Sequence, residues 1–79
     1  MQITDIPTEV FNRILAELID QGWKKTVEYA GMDAWIDYGK VVLRYKGQSL
    51  VLEWDNWAEG SIEGPEDQIQ GIKEQYALP

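Results

Sequence analysis

An α+β fold, an antiparallel meander sheet packed by N- and C-terminal helices, is what three features of the chain predict. Near the N-terminus apolar residues recur at three- and four-residue spacing. From Trp23 to about Ile62 the period changes to two, with glycine breaks at Gly31, Gly39 and Gly47. From Pro65 onward a second helical period returns. The expected order is α-β-β-β-β(-β)-α, and residues 1–79 make one domain, because 79 residues supply a single small core.

The first helix rests on Val10, Phe11, Ile14, Leu15, Leu18 and Ile19, which line one side, with Glu9, Arg13, Glu17 and Asp20 mostly opposite. Pro7 suits the first turn, and Gly22 suits the position just past the end. Strands are then expected at Trp23–Tyr29, Ala34–Tyr38, Val41–Lys46 and Ser49–Trp54, with a short fifth at Ala58–Ile62. A four-residue loop from Ala30 to Asp33, a Gly39-Lys40 turn and a Gly47-Gln48 turn each place one apolar row on the same side. That row pairs Val27 with Ile36, Ile36 with Leu43, and Leu43 with Leu52, with Tyr29 and Leu50 beside them and Val41 opposite Trp54. A slip of one residue at any turn would break the agreement. A loop from Asp55 to Trp57 would set Ala58, Gly60 and Ile62 inward, next to Trp54, Leu52 and Leu50, and Glu59 and Glu63 toward water. The second helix starts at Pro65, where Glu66 and Asp67 complement the positive end of the helix dipole. Its inner stripe is Ile69, Ile72 and Tyr76, and Gly71 weakens it by about 1 kcal/mol relative to Ala. The pattern leaves open which sheet face this helix covers.

Composition removes several chemistries. The chain has no Cys, hence no disulfide, thiolate nucleophile or cysteine-held metal. It has no His, the usual general base and the commonest metal ligand. No apolar run reaches the roughly 20 residues that span a bilayer, and the N-terminus does not read as a signal peptide. These features give the expectation of a cytoplasmic protein that is no enzyme and holds no cofactor. At 44% hydrophobic, with four Trp and four Tyr, it has the apolar material to offset an ordering cost of roughly 1.5 kcal/mol per residue.

Charge is the main functional signal. Fourteen acidic and seven basic residues give −7. Between Lys46 and Lys73 there is no basic residue, yet Glu53, Asp55, Glu59, Glu63, Glu66 and Asp67 lie there, with Trp54 and Trp57 among them. A segregated anionic surface repels nucleic acid and acidic lipid and attracts a basic protein. The partner-binding candidates are therefore Trp57, Asp55, Glu59 and Glu63, Trp57 being a planar anchor among carboxylates. Trp35 joins them from the outer sheet face, where the expected register sets it opposite Arg44, and Arg44 opposite Val51. With Val42 it would form a charge-rimmed apolar patch, unless the second helix covers that face. A homodimer through this face or through an open edge strand is a further expectation. Lys24, Lys25, Lys40, Arg44 and Lys46 form a modest basic side and read mostly as solvent-facing strand positions.

Two arrangements of carboxylates offer other chemistries. Residues Asp55 to Glu66 resemble a calcium-binding EF-hand loop, with acids first, fifth, ninth and twelfth and Gly sixth. The resemblance implies Asp55, Glu59, Glu63 and Glu66 as ligands of a divalent cation. Trp57 at the third place and Pro65 before Glu66 depart from the pattern, and a strand rather than a helix precedes it. Glu53 and Asp55, two apart on a strand, share a face as acid–base pairs do. A chain this short has little with which to build the cleft they would need.

Overall fold

The computed structural model describes residues 1–30, 38–55 and 59–78; for 27–30 and 38 it describes the backbone alone. The elements run β1 (Gln2–Ile6), α1 (Thr8–Asp20), β2 (Lys24–Ala30), β3 (Tyr38–Tyr45), β4 (Gln48–Asp55), β5 (Glu59–Glu63) and α2 (Glu66–Gln75). The fold is α+β: among the described residues, two helices and a five-stranded antiparallel sheet in the order β1-β5-β4-β3-β2.

Strand β1 corrects the expectation that the chain begins with a helix. Ile3 aligns with Ile62, and Ile6 with Gly60, so three steps on β1 match two on β5. The extra residue is a β-bulge, and Asp5 there takes a left-handed φ of 57°. A bulge resets the two-residue period. Ile3 and Ile6 therefore both enter the core although their spacing is that of neither a strand nor a helix face. Met1 and Gly64 exchange backbone hydrogen bonds of 3.0 Å that extend this ladder.

Helix α1 forms as its periodicity predicts, burying Phe11, Ile14 and Leu18, while Ile19 at the edge of the stripe stays 41% exposed. Pro7 precedes it and Glu9 occupies its acidic first turn. It ends in a Schellman arrangement: the Trp23 N–H donates to the Leu18 carbonyl at 3.0 Å, and the Gly22 N–H to that of Ile19 at 3.1 Å. Gly22 sits at φ 111°, a conformation glycine adopts without a Cβ penalty. Trp23 and Leu18, the apolar pair that seals such a motif, are both buried.

On β3, β4 and β5 the sheet interior keeps the expected face but not the expected register. Residues 38 to 45 form one continuous strand, so Gly39-Lys40 is no turn; Gly39 aligns with Trp54 and Ala30, and Lys40 with Glu53 and Tyr29. Leu43 lies between Lys25 and Leu50, which excludes the pairing with Ile36. The β3–β4 turn is Lys46-Gly47, at φ 50° and 79°. Two successive positive φ values mark the type I′ geometry that matches strand twist. Val41 consequently pairs with Leu52, and Leu43 with Leu50, a two-residue slip from expectation. At the next hairpin Trp54 pairs with Gly60 and Leu52 with Ile62, again slipped by two. Because side chains alternate with period two, both slips leave every apolar residue on its predicted face. On β2 a bulge between Lys25 and Val27 moves Val27 into register with Val42, one place off the apolar row. The predicted loop from Ala30 to Asp33, the rest of the predicted Ala34–Tyr38 strand, and Ala58 lie outside the described residues, except for Ala30 and Tyr38, which belong to β2 and β3.

Both helices cover one sheet face. Ile69 and Ile72 of α2 join Phe11, Ile14 and Leu18 of α1, with Val41, Leu43, Leu50, Leu52 and Ile62 from the sheet, in a single core. Phe11 lies directly on Gly60, whose missing side chain leaves the room. The Trp54 indole N–H donates to Thr8 Oγ1 at 2.9 Å, and Gln68 Nε2 to Gln48 Oε1 at 2.9 Å, tying a helix to the sheet at each end of β4. Among the described residues no polar or charged side chain is buried. No described helix is long and apolar enough to cross a membrane.

Candidate functional site

Since α2 shares the inner face with α1, neither helix covers the outer one. The outer positions of the central strands are set by the ladder: Val42 opposite Val51, Lys40 opposite Glu53, and Arg44 opposite Ser49. The expected Arg44–Val51 pair is thus replaced by Val42–Val51, both half-buried, while Arg44 is flanked by Lys24 on β2. Moving across the sheet from β2 to β5, outer residues change from basic (Lys24, Arg44, Lys40) to acidic (Glu53, Asp55, Glu59, Glu63). Strands lie about 4.8 Å apart, so this change of sign takes place over a few strand widths.

The acidic side is built by three elements. Asp55 ends β4 and aligns directly with Glu59, which opens β5 in a left-handed conformation, φ 59°. Along β5 exposure alternates: Glu59 and Glu63 are exposed, Gly60 and Ile62 buried. This is the inward and outward assignment expected for the fifth strand. Beyond Gly64 and Pro65, the exposed Glu66 and Asp67 occupy the first turn of α2, where the helix dipole favours negative charge.

The structure brings Asp55 and Glu59 together and separates the rest. Glu63 lies four residues further along an extended strand, about 13 Å away, and Glu66 belongs to a helix. An EF-hand loop instead coils its oxygens around one cation. Strand formation at Glu59–Glu63 replaces that coil, and no group of three acidic side chains among the described residues could hold a metal ion. Glu53 and Asp55 do share one strand face, aligned with Ser61 and Glu59. Both are half-buried and engaged in further interactions. Of the partner-binding candidates, Trp35 and Trp57 lie outside the described residues. Trp54, expected beside Val41, stands instead between Gly39 and Gly60 and packs half-buried at the rim of the core.

Basic residues that the sequence pattern gives as solvent-facing strand positions come together around one depression. Lys24, Thr26, Arg44, Tyr45 and Lys46, with Gly22 and Gly47, line a shallow hollow of about 360 Å³. A second hollow of about 460 Å³, lined by Ile19, Gly22, Trp23, Lys24 and Lys25, adjoins it through Gly22 and Lys24. The sequence signal was the crowding of basic residues at 24, 25, 44 and 46 in an otherwise acidic chain. Compared with protein-family models, with curated proteins and with solved structures, the chain gives no match, so these geometric features alone carry the functional reading.

Proposed function

We propose that this is a small acidic protein-binding module of the cytosol, an inhibitor, adaptor or charge mimic that engages a basic surface on a larger partner. One observation carries the reading. Six carboxylates fall in a stretch free of basic residues, and four of them, Glu59, Glu63, Glu66 and Asp67, are exposed on the adjoining β5 and α2. Trp57, in the same stretch, would supply the planar anchor that such interfaces favour. An anionic surface of this kind accelerates encounter more than it deepens affinity. The reading is of a binder and not a catalyst, because the chain lacks both His and Cys and its paired acids lie on a sheet surface rather than in a cleft.

The test is capture from cell extract at low and high salt with three proteins: the parent, Glu59→Lys/Glu63→Lys, and Lys73→Glu as a charge-changed control. A partner held electrostatically should be lost as ionic strength rises. Its recovery should fall at least about tenfold in the double variant, a loss of roughly 1.4 kcal/mol, and persist in the control. Both glutamates are exposed, so the variant should keep the parent's melting profile. A partner recovered equally at both salts, or equally by the double variant, would refute the assignment.

A further inference from the structure

The basic hollow has features that an ordinary strand surface lacks. Lys24, Arg44 and Lys46 surround it, and no carboxylate is among the described residues that line it. The ladder sets Lys24 directly opposite Arg44. Like charges so placed destabilise a sheet, and the chain, at net charge −7, has acids in excess with which to relieve them. One wall is held firmly. Tyr45 packs against the buried Trp23 with ring centroids 5.6 Å apart, and Lys46 Nζ lies 5.2 Å from the Tyr45 ring centre. Gly22 and Gly47 keep the rim free of side chains.

We infer that this hollow binds a phosphate-type oxyanion carried by a small molecule. A dianion seated between Lys24 and Arg44 converts their repulsion into two attractions. The planar fork of Arg44 matches two phosphate oxygens, while Lys24 and Lys46 act as point charges. The volume, about 360 Å³, falls within the roughly 300–1,000 Å³ of small-ligand sites. The net negative charge favours a small ligand over a polymer. A long polyanion meets the repulsion of the acidic side, whereas an anion inside the hollow is governed by cations within a Debye length, about 8 Å at physiological ionic strength. These residues are separate from the acidic surface, so this inference stands or falls independently of the proposed partner.

The test titrates inorganic phosphate against chloride at constant ionic strength, following the backbone amide resonances of Gly22, Thr26 and Gly47. Saturable shifts at millimolar phosphate are expected. Arg44→Gln and Lys24→Gln should each weaken them by about tenfold or more, while Lys73→Gln leaves them unchanged. Melting curves confirm that each variant is folded. Absence of saturation, or equal shifts in all the variants, overturns the site. Tighter binding of a single-stranded oligonucleotide than of phosphate overturns the small-molecule assignment. If concentrating the protein alone moves the same resonances and sedimentation shows dimers, the hollow belongs to the acidic edge of a second copy.

Discussion

At Gly60 the absence of a side chain is what lets α1 reach the sheet. A Cβ there would stand 2.6 Å from Phe11 Cδ2, 3.0 Å from Cγ and 3.1 Å from Cβ. Those are the near atoms of a ring that is only 1% exposed, so it cannot swing aside. Alanine normally stabilises a strand position relative to glycine, but overpacking costs about 1–3 kcal/mol and should dominate. Gly60→Ala is therefore expected to lower the midpoint of urea unfolding, by about 4–8 °C per kcal/mol if melting is followed instead. An unchanged midpoint would mean that α1 does not press on β5 here. The need for Gly60 was only half legible beforehand. Its inward position followed from alternation with Ile62, but nothing in the local sequence announces that Phe11, 49 positions away, comes to rest on it.

Among the elements, α2 was the weaker helix on propensity and is held by what it touches. Ile69 and Ile72 are buried, and Tyr76 just beyond its end packs half-buried against the core. The Tyr76 hydroxyl is pushed up to about 12, first by burial, then by its hydrogen bond to Glu17 on α1 and by the charge of that carboxylate, with Arg13 opposing. An unfolded tyrosine ionises near 10.0. Since the folded state holds this proton more tightly, the contact contributes fully below pH 10 and is lost as pH rises toward 12. Denaturation midpoints should fall across that window, and Tyr76→Phe should flatten the decline. If the variant and the parent decline alike, the α1–α2 contact is not its source. The stripe Ile69, Ile72, Tyr76 was readable from spacing. The choice of sheet face was not, since a helix carries one apolar stripe whichever side it meets.

For the molecule as a whole, β1 decides how the sheet closes. It pairs with β5, covers that strand's edge and delivers Ile3 and Ile6 to the common core. Ile6→Ala should cost about 2–5 kcal/mol in equilibrium unfolding, the range for any fully buried isoleucine. A cost near zero would show that β1 is dispensable. Reading along the chain missed β1 because a bulge at Asp5 breaks the alternation by which a strand is recognised. The Gly39 break misled in the opposite direction: glycine there is an interior strand residue beside Trp54. The acidic segment was legible as composition, and its exposure on β5 and α2 follows the alternation and helix start that the sequence carries. The basic side was legible as composition, but the hollow within it was not, because its cations come from two strands and a turn whose pairing depends on register.

Where no bulge intervenes, the residues dictate locally the class of an element and the face its apolar side chains take; β1 and Val27, each beside a bulge, are the exceptions. Backbone geometry imposes a period of two or of 3.6, and burial of apolar surface selects the phase. Alignment between strands is another matter. Shifting a hairpin by two residues preserves every inward and outward assignment, so patterning cannot distinguish the alternatives. The choice fell to the type I′ turn at Lys46-Gly47 and to the packing of distant partners such as Phe11 on Gly60. The β2–β3 ladder, with its bulge between Lys25 and Val27, likewise set Lys24 against Arg44, and the shared core of α1 and α2 left the outer face uncovered by either helix.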